Sequence, residues 1–300
     1  MEQKYIIKNQ SSFKLKDIFE CGQCFRWNMA EDGSYTGVFN NNVINVKSKS
    51  SKLNSKTDNK ICNYDITFTG ICEGNIEKIV SEYFDLDRDY EKIKGKLCKV
   101  DEYIKESIKY GDGIRLLNQD LWEMIISYII SANNNIPRIK GIIEKISEKY
   151  GTEIVWNNKK YYTFPTPKQL ENVTVEEFRM LGTGFRDIRI YETIKKINSK
   201  EVDLIELEKI EDTNLVREEL LKLSGVGPKV ADCILLFSTL KRMDVFPIDV
   251  WVRRVMNDLY IKKEDETKVS KKELEKLAIN KFENLSGIAQ QYLFYWRREA

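Results

Sequence analysis

The stretch that most restricts what this chain can fold into is Leu221–Arg254, LKLSGVGPKVADCILLFSTLKRMDVFPIDVWVRR. It predicts a helix, a glycine turn, a second helix and a short loop into a third. Gly225 and Gly227 free the backbone for a tight turn with exposed amides. Pro228 sits where a first-turn proline is tolerated, because its missing N–H would be an orphan anyway. Apolar periodicity then resumes through Val230, Ile234 and Phe237. Lys229 therefore falls in the first turn of the second helix, beside the positive end of its dipole, a place that suits a phosphate and disfavours a protonated amine.

Downstream, the run Pro247-Ile248-Asp249-Val250-Trp251 places an aspartate where the next amphipathic helix begins. The plain reading is a helix N-cap. The sharper reading is a pair, with Lys229 as a neutral amine nucleophile of depressed pKa and Asp249 as the carboxylate that stabilises the cation formed on the attacked carbon. A Gly-x-Gly-x-Lys turn alone is a weak signal, and most such lysines are solvated. Turn, lysine and aspartate together are much more specific.

Composition removes other chemistries. There is no histidine, which excludes Ser-His and Cys-His triads and most zinc sites. With 49 basic and 47 acidic side chains the net charge is only +2, so a nucleic-acid surface must be a local patch. Cys21 and Cys24 form a C-x-x-C without a second pair at zinc-ribbon spacing, and read as structural or incidental thiols. No apolar run is long enough to span a bilayer and MEQKYIIKNQ carries no secretory core, so a reducing cytoplasm, with the nucleoid of a prokaryote as the working place, is expected.

In chain order, the first hundred or so residues read as short strands. SYTGVF (Ser34–Phe39), NVINVK (Asn42–Lys47) and DITFT (Asp65–Thr69) are β-prone runs, and Lys47–Lys60 reads as a solvated excursion. Helical spacing begins within IEKIVSEYFDLDRDYEKI and dominates from Ser107 onward, broken at Asn133–Asn135 and at a second glycine turn, Leu181–Gly184. The expected fold is α+β: an N-terminal antiparallel sheet domain over 1–106, then an all-helical body over 107–300 in two subdomains, with the hairpin 221–233 at their cleft.

GVGPKVADCI followed by FPIDVWVRR resembles the helix–hairpin–helix DNA glycosylase superfamily, and within it the 8-oxoguanine DNA glycosylases. The resemblance implies Lys229 as nucleophile and Asp249 as its essential partner. GQCFRW (Gly22–Trp27), by pattern an ordinary strand entry, is similar to a family segment whose glycine carbonyl, here Gly22, accepts N7–H of the oxidised base. Normal guanine presents an acceptor at N7, so a carbonyl there discriminates. The family places Cys233 and Phe294 on the two faces of the base and Gln290 on its Watson–Crick edge. SANNNIPRIKG supplies Asn133, which fills the gap left by the flipped base, and Arg138, which reads the orphaned cytosine. GTGFRDIRIY supplies Arg186 as a second cytosine reader and Phe185 as a wedge, where family members carry tyrosine. Gly225 and Gly227 would hold a DNA phosphate. Trp251 stands where relatives often have a phosphate-contacting histidine, and its indole N–H can still donate. The four-cysteine iron–sulfur cluster of some superfamily members is excluded, since no cysteine follows Cys233.

The resemblance spans Gly22 to Phe294. It implies a bifunctional glycosylase/AP lyase acting as a monomer on duplex DNA that contains 8-oxoguanine, with no membrane partner. No metal or organic cofactor is needed, and a monovalent cation is an option at the hairpin. The alternatives are a glycosylase for another damaged base, or a non-catalytic hairpin module in which Asp249 is only a cap.

Overall fold

The computed structural model describes residues 1–50 and 63–299. Five antiparallel strands form the N-terminal sheet: β1 (Glu2–Gln10), β2 (Trp27–Met29), β3 (Tyr35–Phe39), β4 (Asn42–Ser50) and β5 (Tyr64–Ile71), in the order β1-β5-β4-β3-β2. The three expected strands are present, and β1 and β2 add one at each edge. Lys47–Ser50 continues β4, paired to β5 through Ser50↔Tyr64, because a partner strand satisfies its backbone. The rest of the expected excursion, with Cys62, lies outside the described residues.

Period-two alternation gives the sheet one buried face. Phe13, Trp27, Phe39, Phe68, Tyr83 and Phe84 pack there, and Trp27 Nε1 donates to the Tyr83 hydroxyl at 2.9 Å. This core ends with Tyr83, Phe84 and Leu117. Helices Tyr90–Leu97 and Glu102–Tyr110 belong instead to the larger helical core, as do Cys21 and Phe25 from the N-terminal segment. The loop between helix Leu15–Phe19 and β2 thus sits at the joint of the two cores. Gln23 fastens it there, fully buried. Its side-chain amide donates to Ile18 O and Arg115 O at 2.8 and 2.7 Å, and its Oε1 accepts from Leu117 N at 2.9 Å. Each bond satisfies a polar group that burial would otherwise leave costly.

The α+β class holds, with one correction to the all-helical body. Glu153–Trp156 (β6) and Lys159–Tyr162 (β7) form a hairpin. Asn157 and Asn158 both take positive φ, 50° and 57°, the demand of a two-residue primed turn that asparagine tolerates. The hairpin buries Trp156, with Ile154 and Tyr161, against Val38, Val43 and Ile71 of the sheet. Arg26 of the GQCFRW segment reinforces this contact by donating to Tyr162 O. Among the described residues, no helix is long and apolar enough to cross a membrane.

Candidate active site

The hairpin forms as its sequence requires. Helix Thr213–Leu221 ends, Gly225 adopts φ +84°, and helix Pro228–Phe237 starts with Gly227 as N-cap and Pro228 in the first turn. A side chain at Gly225 would be strained by that φ and would meet Arg189 Cδ at 2.9 Å. No side chain caps the second helix, so its first amides face outward from the turn.

Lys229 lies half-buried in that first turn, its Nζ 5.7 Å from the ring centre of Tyr128. Cys233, one turn along, is buried and hydrogen-bonds the amine, and burial pushes its thiol up to about 11. Asp249 caps the helix Val250–Met256, its Oδ1 accepting from Val252 N at 2.7 Å, and acts electrostatically on the same amine. The cap reading and the paired reading therefore apply to one carboxylate at once.

The expected depression of the Lys229 pKa is corrected. Cys233 and then Asp249 raise it above the ordinary lysine value, with burial opposing between them. The helix dipole and burial were visible from the turn alone, whereas the two opposing groups come from the next turn and from another helix. In the free protein the amine is held as an ammonium, and a nucleophilic role would require it to lose a proton first.

The final helix, Ser286–Glu299, carries Gln290 and Phe294. It is docked on the Gly22 loop: Gln291 Nε2 donates to Cys21 O at 2.5 Å, and Arg298 donates to Glu20 O while lying 5.2 Å over the Phe294 ring. Gly22 has φ +90°, and a Cβ there would stand 3.5 Å from Phe294 and 3.1 Å from Arg298 Nη1. Gln290 is buried, and its Oε1 has no partner. An unpaired buried acceptor is costly, and here it lies on the helix that contributes Phe294. Tyr128 joins the two halves. Its hydroxyl donates to Gln23 O at 3.4 Å, and its ring lies under Lys229. Tyr128, Gln23, Gln291 and Arg298 were not singled out in the sequence, where each reads as an ordinary helix or strand residue. The Cys21 and Cys24 thiols are buried and pushed up by burial, Cys21 to about 11, which makes both structural groups rather than reactive ones.

Substituting Gly22→Ala is expected to cost about 1–2 kcal/mol of stability from the left-handed backbone. The methyl should also press on the Arg298 guanidinium, which lies over Phe294, while only touching Phe294 itself. The expected readouts are a Tm drop of several degrees and a rise in KM for damaged duplex, measured by thermal melts and steady-state kinetics.

The third group is brought together as expected, with one difference. Asn133 (φ 50°), Arg138 and Phe185 are exposed at neighbouring turns. Phe185 keeps 55% of its surface open, and among the described residues the Arg138 guanidinium makes one hydrogen bond, to Gly182 O at 3.3 Å. Arg186 is instead buried, and its guanidinium donates to the carbonyls of Ala132, Asn133 and Thr183. It clasps the asparagine turn to the wedge turn, and most of its donors are spent there. Trp251 is 39% exposed near the start of its helix.

The fold and site define a class: a helix–hairpin–helix protein with a lysine in the first turn after the hairpin and an aspartate opening the next helix. Residues 5–125 match the profile of the 8-oxoguanine DNA glycosylase N-terminal domain, and residues 126–291 that of HhH-GPD superfamily base excision DNA repair proteins. The chain belongs to the 8-oxoguanine glycosylase family of the HhH-GPD superfamily. A probable N-glycosylase/DNA lyase of Methanothermobacter thermautotrophicus is 34% identical over 205 residues, an alignment that spans 62% of this chain and 63% of that protein. The structure of MBOgg1 with a low-affinity DNA ligand is 43% identical over 99% of this chain and 96% of that one, with a TM-score of 0.87. The Clostridium acetobutylicum 8-oxoguanine glycosylase/lyase, in complex with double-stranded DNA containing cytosine opposite 8-oxoguanine, is 41% identical over 100% and 98%, with a TM-score of 0.87.

Proposed function

We infer that this chain is a bifunctional DNA glycosylase/AP lyase that excises 8-oxoguanine from duplex DNA in base excision repair. The observation that carries this reading is the single amine on which Asp249 and Cys233 both act, at the start of the hairpin's second helix. The hairpin amides hold a phosphate of the damaged strand, and the lesion flips out at a cost of a few kcal/mol. It stacks between Cys233 and Phe294, with its N7–H donating to the Gly22 carbonyl. The lone Gln290 acceptor takes a donor from the Watson–Crick edge. Lys229, deprotonated, attacks C1′ and displaces the base, while Asp249 stabilises the cationic sugar. The resulting Schiff base allows β-elimination 3′ to the lesion.

Asn133 and Phe185 fill and wedge the stack. Arg138, with few internal bonds, reads the orphaned cytosine. Arg186 joins that reading only where its carbonyl partners release it. Trp251 donates its indole N–H to a phosphate. The amine supplies the nucleophile, so the chemistry needs no metal or organic cofactor, and a monovalent cation at the hairpin would serve phosphate binding alone. The enzyme acts as a monomer in a reducing cytoplasm, in keeping with the free thiols among the described residues.

Release of 8-oxoguanine from duplexes with each of the four opposite bases, followed by chromatography, tests the reading. Single-turnover rates should be highest opposite cytosine by about tenfold or more, the scale of one good polar pairing. Arg138→Ala should flatten that preference. Release of alkylated bases but not 8-oxoguanine would overturn the substrate assignment.

A further inference from the structure

We propose that Arg189 is a DNA-contacting residue that holds a backbone phosphate of the strand opposite the lesion, an inference that rests on the glycosylase reading above. Arg189 lies in the first turn of the helix Asp187–Asn198, which follows directly on the turn that carries Phe185. Its stem lies over Gly225 of the hairpin, with Cδ 2.9 Å and Cβ 3.1 Å from where a side chain on that glycine would begin. Its guanidinium carbon lies 5.3 Å from the ring centre of Phe185, the exposed wedge. One side chain thus bridges the phosphate-binding hairpin and the opposite-strand wedge.

The charge around it is unbalanced. Arg138 and Arg189 both act on Arg186, adding to burial in lowering its pKa, so two exposed guanidinium groups lie beside a third that is buried. The carboxylates nearest in sequence are committed elsewhere. Asp187 pairs with Arg179 at 2.7 Å, and Glu192 accepts from Ser224 Oγ at 2.5 Å. Among the described residues, Arg189 has neither a carboxylate partner nor a hydrogen-bond acceptor. Like charges held together without counter-ions repel one another, and an exposed cluster of this kind favours a polyanion. A planar, forked guanidinium suits a phosphate. Because the guanidinium lies against Phe185 rather than the hairpin amides, the phosphate belongs to the complementary strand.

The test compares wild type, Arg189→Met and Arg189→Lys in equilibrium binding to an 8-oxoguanine:cytosine duplex across a salt series. Methionine keeps an unbranched stem over Gly225 and Phe185 but removes the charge. The slope of log K against log salt should shrink by about 0.9 in Arg189→Met and be restored in Arg189→Lys. Borohydride trapping at saturating DNA should be retained in both, because neither touches the amine. Neutral methylphosphonates, placed singly in either strand, locate the contact. At the right position the substitution weakens wild type and leaves Arg189→Met unaffected. Coupling in the complementary strand supports the assignment, and coupling only in the damaged strand overturns the strand. An unchanged slope without coupling at any position overturns the site and leaves Arg189 a packing residue. Loss of trapping by wild type itself, with the slope difference intact, would count against the glycosylase reading and not against this contact.

Discussion

Replacing Lys229 with glutamine is expected to reduce base release in single turnover by roughly 10⁴-fold or more, the scale reached when the nucleophile of a cooperating unit is deleted. The loss should fall on kcat. Glutamine retains the stem that lies over Tyr128, and the hairpin amides proposed to hold the phosphate belong to the backbone, so duplex affinity should change only modestly. The pH profile gives a second readout. Attack needs the neutral amine, and Cys233 and Asp249 raise the Lys229 pKa. Near neutral pH the neutral fraction is therefore small, and it grows about tenfold for each unit the pH rises until it reaches the pKa. The wild-type rate should rise accordingly with pH, provided chemistry is limiting. Any residual rate in Lys229→Gln should lack that rise.

Asp249→Asn separates the two duties of one side chain. Asparagine caps helices about as well as aspartate, and the bond to Val252 N at 2.7 Å is available to its amide oxygen. Thermal stability should consequently shift little. The negative charge is lost, and with it the stabilisation of the cationic sugar. By analogy with deletion of a preorganised charge-stabilising group, kcat should fall by about 10²–10³-fold. The same change removes one of the groups that raise the Lys229 pKa, so the rising limb should move to lower pH while its plateau drops. A residue that served only as a cap would leave both kcat and the profile where they are. Wild-type kinetics in the asparagine variant would therefore remove Asp249 from the mechanism.

How far the sequence could be read depended on how local each feature is. The hairpin, Lys229 and the capping role of Asp249 were legible because each rests on a few consecutive residues: glycines where the turn needs them, proline in a first turn, and a carboxylate ahead of a helix. The α+β class followed from the switch between two periodicities. The β6–β7 hairpin escaped because its strands are short and lie among helices, although Asn157-Asn158 marked the turn. The direction of the Lys229 shift depends on Cys233 and Asp249 meeting at one amine, and a turn read alone shows only the dipole and burial. The burial of Arg186 depends likewise on carbonyls of Ala132 and Asn133, brought from another helix end. The Gly22 loop was recognised by resemblance, whereas its docking through Gln291 and Arg298 is a tertiary fact no local pattern encodes.

The central claim is that a covalent bond forms between Lys229 and the sugar of the lesion. Sodium borohydride added during reaction with an 8-oxoguanine:cytosine duplex reduces the Schiff base, and mass spectrometry of the digested adduct locates it. The expected result is one crosslinked peptide with the sugar on Lys229, absent from Lys229→Gln. An adduct on a different amine, or base release without any adduct, would contradict it.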